Sequence, residues 1–190
     1  MTSEEATIAA IRTLNSFSVP FMIVGSLSSN YYGVARATHD ADFVVELGDV
    51  SLTQIASKLG PDLRLDPQIT FESVTGTTRY RFELTGQDYT IEVFLLSGDA
   101  HDRQRFERRV RTDMYGEAVY IPTPEDVIVM KLRWYSIARR RKDRDDIVNM
   151  LIVQRDRIDL AYIRSWAEQH GSIAKLEELL GVASNPNQPK

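Results

Sequence analysis

Apolar residues recur at a helical spacing near the start of the chain and again over its last third. Ile8, Ile11 and Leu14 share one face of an amphipathic helix predicted over residues 3 to 15. The same spacing predicts further helices over residues 27–34, 51–59, 124–141, 143–154, 159–169 and 172–180. Thr123 followed by Pro124 marks an N-cap and a first helical position, so the chain is predicted to be helical beyond this point.

Short apolar or alternating runs between these helices are typical of strands. The continuous run Phe21-Met-Ile-Val24 stops at a glycine, which predicts a buried strand that ends in a tight turn. A second strand is predicted over residues 41–46. Segments 69–74, 78–84 and 89–96 predict an antiparallel meander, and two weaker strands flank Tyr115-Gly116.

These elements predict an α+β fold with a small mixed or antiparallel sheet. The sheet belongs to a core domain over residues 1–122, and a helical region over residues 123–182 is expected to complete a cleft with it. Residues 183–190 form a polar tail that contains prolines and has nothing to bury.

Composition narrows the chemistry that is possible. The 190 residues are 43% hydrophobic and 26% charged, as expected for a globular domain. The absence of cysteine excludes disulfides, thiolate nucleophiles and Cys-liganded zinc, and three scattered histidines disfavour a His-based zinc site, so any metal is expected to have oxygen ligands. With no signal-peptide pattern and no apolar run long enough to cross a bilayer, we expect a cytoplasmic protein that has no membrane partner.

The charge of the chain is unevenly distributed. Residues 103–144 hold 12 of the 23 Lys and Arg residues but only 6 of the 27 Asp and Glu residues. Most of the cations are Arg, whose planar fork suits phosphate, so an anionic ligand or nucleic acid is one interpretation. A solvated basic surface that pairs with acidic helices elsewhere is the other.

Two carboxylates stand together in the second predicted strand. Asp40 and Asp42 are two residues apart at its entrance, so both point to one face while Ala41 and Phe43 point to the other. Two like charges held together favour a cation between them, and Mg²⁺ prefers such oxygen ligands. Glu92 alternates with core residues on another strand and would join them if the two strands are neighbours. The alternative is a solvated Asp-x-Asp turn.

A Gly-Ser pair precedes these carboxylates at a strand-to-helix junction. Gly25 permits close backbone approach, Ser26 supplies a hydroxyl, and the following helix offers N–H groups to a phosphate. The alternative is a tight turn without a ligand.

The residues from Gly25-Ser26 to Arg36-Ala-Thr38-His-Asp40-Ala-Asp42 resemble the signature of the polymerase-β-like nucleotidyltransferase superfamily. The Arg-x-Thr-x-Asp-x-Asp form, with a Pro-Glu-Asp helix downstream, is most similar to the small prokaryotic branch that contains the AbiEii and MenT type toxins. The resemblance covers about residues 20 to 146. It implies a nucleotidyltransferase core fold and Mg²⁺ held by Asp40, Asp42 and Glu92, although the third acid of such enzymes is often Asp.

The first helix after residue 122 carries further candidate residues. At about 100° per residue, Lys131 and Lys142 return to nearly the same helical face if the helix is continuous. In toxin-like relatives a Lys on this helix and an Asp in a following Lys/Arg-Asp-x-x-Asp pattern belong to the active site, which implies roles for Lys131, Asp143 and Asp146. The residues predicted to bind the nucleotide are therefore Gly25, Ser26, Arg36, Lys131, Lys142 and Asp143.

Simpler interpretations of these basic residues remain open. The ammonium of Lys131 can reach solvent, or pair with Glu125 or Glu92. The run from Arg139 to Lys142 can simply complement the dipole at a helix end.

The resulting hypothesis is a Mg²⁺-dependent enzyme that moves an NMP from an NTP to an acceptor hydroxyl, with Glu92 or Asp146 as base. Resemblance to the toxins implies RNA or tRNA as acceptor, guided by Arg79, Arg81 and the basic window, and a cognate antitoxin as partner. Three alternatives stay open: transfer to a small molecule, similar to aminoglycoside-modifying enzymes and with an acidic acceptor cleft, transfer to a protein, and a non-catalytic nucleotide-binding partner. The sequence does not select the NTP.

Overall fold

A computed structural model describes residues 1–185, which divide into two compact units. The first unit comprises Met1–Leu27 and Ala37–Pro122. The second comprises Ser28–Arg36 and the chain from Thr123 on. Residues 28–36, which the sequence prediction placed in the core domain, thus belong with the helical unit.

The first unit contains every strand found in residues 1–185 and the first helices. The helices that begin in it are α1 (Ser3–Ser16), α2 (Gly25–Tyr32), α3 (Leu52–Leu59) and α4 (Ala100–Glu107), of which α2 continues into the second unit. The strands are β1 (Phe21–Val24), β2 (Asp40–Val45), β3 (Leu63–Leu65), β4 (Thr70–Glu72), β5 (Thr77–Leu84), β6 (Thr90–Leu95), β7 (Val110–Met114) and β8 (Glu117–Ile121). A capping box between Thr2 and Glu5 starts α1, and another between Ser51 and Gln54 starts α3.

Six strands form one mixed sheet in the order β1-β2-β6-β5-β3, and β4 also pairs with β5. The β2–β6 pair is parallel, whereas the other pairs of this sheet are antiparallel. Strands β7 and β8 form a separate antiparallel ribbon that closes at Tyr115-Gly116. The predicted α+β class with a small mixed sheet is confirmed.

The main sheet has one largely apolar face and one mixed face. Phe43 of β2, Phe82 of β5 and Ile91 of β6 are buried on the apolar face. On the other face, Val44 and Phe94 lie in a cluster with Phe106 of α4. The same face carries the polar residues toward the start of β2 and β6, together with Arg79 and Arg81 of β5.

The second unit is built on four helices. They are α5 (Pro124–Ala138), α6 (Arg141–Val153), α7 (Leu160–Gln169) and α8 (Ile173–Ser184). Thr123 caps α5, and Asp159 caps α7. Their buried faces share a core that includes Leu132, Trp166 and Leu176.

Two contacts connect residues 28–36 to the helices of the second unit. Gln154 donates a hydrogen bond from Nε2 to the carbonyl of Tyr32 over 2.7 Å. A Cβ built at Gly33 would lie 3.1 Å from Cγ of Met150, so a residue without a side chain lets this segment approach α6.

Three features differ from the sequence prediction. The single helix over residues 124–141 ends at Ala138, because Arg139 adopts a left-handed conformation with φ of 49° and caps it. Helix α4 and the three-residue strand β3 were not predicted. Helix α8 extends to Ser184, and residues 186–190 of the predicted tail lie outside the described residues.

None of the helices in the described part of the chain is long and apolar enough to cross a membrane.

Candidate active site

Parallel pairing of β2 and β6 brings the predicted carboxylates onto one face of the sheet. Asp42 is the register partner of Glu92, and Asp40 is the register partner of Thr90. Ala41 and Phe43, on the opposite face, have no exposed surface (0%). The condition for Glu92 to lie on the same face as the pair, that its strand neighbours the strand of Asp42, is therefore met.

Gly25 lies directly against the carboxylate of Asp42. Val24, the last residue of β1, is the register partner of Asp42. Gly25, the first residue of α2, comes directly after Val24 and is therefore close to Asp42. Gly25 has φ of +64°, and a Cβ built on it would stand 1.9 Å from Oδ2 of Asp42. Any side chain here would both strain the backbone and occupy the space of the carboxylate. The Gly-Ser turn and the Asp-x-Asp pair thus form a single local structure.

Thr38 orients the other carboxylate of the pair. Its Oγ1 donates a short hydrogen bond to Oδ1 of Asp40, within the loop that enters β2. The sequence pattern contained this threonine, but only the structure shows that its hydroxyl is directed at Asp40. Because one oxygen of Asp40 accepts this bond, the orientation of the carboxylate is fixed.

Glu92 is shared between two arginines of β5. Its Oε2 lies 3.1 Å from Nη1 of Arg79, and its Oε1 lies 3.5 Å from Nε of Arg81. The sequence predicted that Glu92 turns toward a metal, and the register allows that, but the carboxylate is ion-paired across the sheet instead. Its roles as metal ligand and as base remain predictions, and each would require it to leave these cations.

Asp40 and Asp42 fit a hard divalent cation. No group of three His, Asp or Glu side chains within residues 1–185 is arranged to hold a metal ion. Two carboxylates on one face, with the close approach of Gly25 to one of them, match the way Mg²⁺ is bound through one or two carboxylates and substrate phosphates.

A second cluster of charged residues lies within the helical unit. Nζ of Lys131 is 2.8 Å from Oδ2 of Asp146 and 3.5 Å from Oδ1 of Asp143. Arg36 donates hydrogen bonds from Nε and Nη2 to Asp146, each over 2.9 Å. Nε of Arg140 lies 2.6 Å from Oδ2 of Asp143. The structure therefore brings together Lys131, Asp143 and Asp146, as the resemblance implied. It also adds Arg36, which the sequence assigned to the nucleotide.

The charges around Asp146 change its chemistry. Burial alone would raise the pKa of this carboxyl, but the hydrogen bonds and charges of Arg36 and Lys131 outweigh burial, so its pKa is lowered. The carboxylate is only 3% exposed and is held by two cations. Arg36 and Lys131 thus hold this carboxylate in its ionised form, and its role as general base stays a prediction.

Lys131 and Lys142 lie on two different helices, so the continuous helix on which their shared face depended is not formed. The chain leaves the helical conformation at Arg139, and α6 begins only at Arg141. Lys142 is exposed, whereas Lys131 is buried. The pairing of Lys131 with Glu125 or Glu92 is likewise not what is found, since its partners are Asp143 and Asp146.

The basic window of residues 103–144 is divided between the two units. Several of its cations contact carboxylates: Arg103, Arg105, Lys131, Arg140, Arg141 and Arg144. The guanidinium of Arg109 instead stacks on Phe106 at 4.1 Å. At least six of the twelve cations of this window are therefore in ion pairs, and two of them, Arg105 and Lys131, are buried.

Comparison with known proteins supports the fold. No protein-family model matches the sequence, and no curated protein matches it. Among solved structures, the antibiotic-resistance factor ANT(2'')-Ia is similar with a TM-score of 0.59 and 15% identity, covering 94% of this chain and 97% of that chain. An antigenic nucleotidyltransferase-like protein from Paracoccidioides brasiliensis has a TM-score of 0.54 and 18% identity, covering 95% and 93%.

The lincosamide antibiotic adenylyltransferase LnuA is similar over 79% of this chain and 97% of that chain, with a TM-score of 0.52 and 10% identity. These identities are too low to transfer a substrate, but the shared architecture extends over most of each protein. The chain therefore has the nucleotidyltransferase fold.

Proposed function

We propose that the protein is a Mg²⁺-dependent nucleotidyltransferase that moves an NMP from an NTP to an acceptor hydroxyl. The fold supports the class of reaction, and the carboxylates of β2 support its location. The proposed metal ligands are Asp40 and Asp42.

The approach of Gly25 to Asp42 is the observation that carries this proposal. A Cβ on residue 25 would lie 1.9 Å from Oδ2 of Asp42, so only glycine leaves room for this carboxylate. The turn that offers backbone N–H groups to a phosphate lies beside the side chain proposed to hold the metal. In nucleotidyl transfer, the groups that bind the phosphates and the metal act on the same triphosphate, so they are expected to lie side by side.

The proposed reaction forms one bond and breaks another at the α-phosphorus. The acceptor oxygen bonds to this phosphorus, the bond to the bridging oxygen of pyrophosphate breaks, and pyrophosphate leaves with that electron pair. The hydroxyl proton passes to a carboxylate, for which Glu92 is the candidate once its arginine contacts are released. Bound Mg²⁺ supplies positive charge against the phosphate oxygens. Gly25 and Ser26 orient the phosphates, and Thr38 holds Asp40 in position.

Two classes of acceptor hydroxyl are candidates. The resemblance of the motif from Arg36 to Asp42 to the AbiEii and MenT type toxins favours RNA or tRNA, with a cognate antitoxin as partner. A small-molecule hydroxyl is the second candidate, because the first unit has a cavity of about 520 Å³, within the size of small-molecule pockets. ANT(2'')-Ia and LnuA are an antibiotic-resistance factor and an antibiotic adenylyltransferase with this fold.

The test is incorporation of label from each α-labelled NTP into a cell lysate that contains RNA, protein and small metabolites, with and without Mg²⁺. Asp42→Asn keeps the shape of the side chain but removes its charge. Asp49→Asn, in the exposed loop after β2, is the matched control. We expect labelling by the wild type and the control, and a loss of at least about a hundredfold for Asp42→Asn.

The sensitivity of the label to nuclease or protease then identifies the acceptor, and label that resists both and passes a small-pore filter indicates a small molecule. Equal labelling by Asp42→Asn in a folded protein would refute the proposed site. Binding of Mg-NTP without labelling of any fraction would instead favour the non-catalytic alternative.

A further inference from the structure

Glu92 lies on the middle one of three strands, so its side chain can lean toward either neighbour. The sheet order is β2-β6-β5, which puts the carboxylates of β2 on one side of Glu92 and the arginines of β5 on the other. These side chains share one face, because Asp42 and Arg81 are both register partners of Glu92. The carboxylate of Glu92 is found on the side of β5, 3.1 Å from Arg79 and 3.5 Å from Arg81.

Arg79 is held in one orientation by several contacts. Its Nη1 donates to both oxygens of Glu92, at 3.1 and 3.4 Å. Its Nε donates to Oγ1 of Thr70 over 2.9 Å, and the same hydroxyl donates to the carbonyl of Arg79 over 3.2 Å. The guanidinium also lies 5.9 Å from the ring centroid of Phe94, its register partner. The guanidinium of Arg79 is thus fixed facing Glu92.

Arg81 carries the same charge but does not hold Glu92 in the same way. Its Nε lies 3.5 Å from Oε1 of Glu92 and makes no hydrogen bond within residues 1–185. The side chains of the two arginines are similarly exposed, at 33% for Arg79 and 36% for Arg81. A comparison of the two therefore separates the effect of a nearby charge from the effect of hydrogen bonds to Glu92.

The third carboxylate of this face is turned away from the other two. The pairing of β2 with β6 brings Asp40, Asp42 and Glu92 to one face. Among the residues that the structure describes, however, no three acidic or histidine side chains are grouped to hold a metal ion. Since both oxygens of Glu92 accept hydrogen bonds from Arg79, the carboxylate would have to give these up to bind a cation. Arg79 and a metal ion thus compete for Glu92.

We propose that Arg79 is a positioning residue that keeps Glu92 off the metal, so that Asp40 and Asp42 alone hold the metal before the NTP binds. This inference rests on the proposed function and deepens it. Mg²⁺ is usually bound through one or two carboxylates, with waters and substrate phosphates in its other positions. With Glu92 held by Arg79, one more position of the metal stays open to a phosphate. The protein alone then binds the metal weakly, and the phosphates of the NTP complete the site.

The test counts the water molecules on bound Mn²⁺, a paramagnetic substitute for Mg²⁺. Electron–nuclear double resonance in isotopically labelled water gives this number for the full chain without NTP, so the result does not depend on turnover. Variant Arg79→Gln removes the ion pair that holds Glu92. We expect Glu92 to replace one water on the Mn²⁺ of this variant, and Mn²⁺ to bind about tenfold tighter than to the wild type.

Arg81→Gln is the matched control, because it removes the same charge but no hydrogen bond to Glu92. We expect its Mn²⁺ to keep the wild-type number of waters. Arg79→Lys keeps a cation beside Glu92, and we expect it to restore that number as well. Adding Glu92→Gln to Arg79→Gln should return the lost water, which identifies Glu92 as the ligand gained and excludes a general disturbance of the site.

Three results would overturn the inference. The first is an equal number of waters in the wild type and Arg79→Gln, and the second is an equal loss of water in Arg81→Gln and Arg79→Gln. The third is an additional water in Glu92→Gln alone, which would mean that Glu92 already binds the metal in the wild type. In each case, Mn²⁺ binding that is lost in Asp42→Asn would still support the proposed metal site. Mn²⁺ binding that does not depend on Asp42 would refute both the proposed site and this inference.

Discussion

Gly25 lies against the carboxylate of Asp42 because it has no side chain. Gly25→Ala would place a methyl group 1.9 Å from Oδ2 of Asp42 and hold alanine at φ of +64°. We expect loss of transfer activity by at least about a hundredfold, since displacing a reacting group by about 1 Å costs that much. We also expect a lower free energy of unfolding, measured by chemical denaturation.

Gly60→Ala separates the two effects. Gly60 has φ of +82°, but nothing lies within 4 Å of its Cβ position. Its ψ of −176° places it in a region that only glycine adopts readily, so we expect Gly60→Ala to lose about 1–3 kcal/mol of stability from backbone strain alone and to retain activity. If Gly25→Ala were as active as Gly60→Ala, the close contact with Asp42 would not matter for function.

The sequence contained the parts of this site but not their contacts. Asp40 and Asp42 share a face because strand side chains alternate, and this follows from spacing alone. The ion pairs of Glu92 with Arg79 and Arg81 depend on the register between β6 and β5, which no local pattern encodes. The role of Thr38 was missed for the same reason, since its short bond to Asp40 is visible only in three dimensions.

At the scale of elements, the break between α5 and α6 is a testable feature. Arg139 occupies a left-handed conformation that suits glycine. We expect Arg139→Gly to raise the free energy of unfolding by about 1 kcal/mol relative to Arg139→Ala, which removes the same side chain but keeps the strain. Thermal and chemical denaturation of both variants test this, and a lower stability of the glycine variant would contradict the assigned cap.

Elements with clear periodicity were predicted well, and those whose buried residues are polar were not. Helix α4 was missed because His101, Asp102 and Arg105 are buried in it, so its inner face does not look hydrophobic. Asp102 accepts hydrogen bonds from Ser97 and Arg105, which compensates for their burial. Strand β3 has only three residues, too few for a pattern.

In the whole molecule, one short segment of the N-terminal half of the chain belongs to the helical unit. Residues 28–36 interrupt the sheet-containing unit in sequence but belong to the helical one. Arg36 shows why sequence order is misleading here, since its partner Asp146 lies 110 residues away. The periodicity predicted the change from a strand-rich to a helical region after residue 122. It could not predict an ion pair between residues this far apart in the sequence.

This ion pair makes the stability of the protein depend on pH. Because the pKa of Asp146 is lowered in the folded protein, its ionised form stabilises the fold above about pH 4, and this contribution is lost as the pH falls through the lowered pKa. Asp146→Asn removes the carboxylate that Arg36 and Lys131 share and leaves Lys131 with Asp143 at 3.5 Å, so we expect a loss of about 3 kcal/mol of stability at pH 7. The difference from the wild type should shrink below pH 4.

Asp145→Asn is the control, because Asp145 forms only more exposed pairs with Arg141 and Arg144. Urea denaturation at a series of pH values should show a loss below about 1 kcal/mol for this variant, with little change between pH 7 and pH 4. Equal losses for the two variants would mean that burial of the cluster adds nothing to stability.

Nucleotidyl transfer at Asp40 and Asp42 is tested by which phosphate of the NTP carries the label that reaches the acceptor. The wild-type protein is incubated with an acceptor fraction and the same NTP labelled at either the α- or the γ-phosphate. With the wild type, we expect the acceptor to take up the α-label alone and the γ-label to be released in pyrophosphate. With Asp42→Asn, we expect neither labelled acceptor nor labelled pyrophosphate. Uptake of the γ-label would mean phosphoryl transfer, and α-label uptake undiminished in Asp42→Asn would mean transfer at another site.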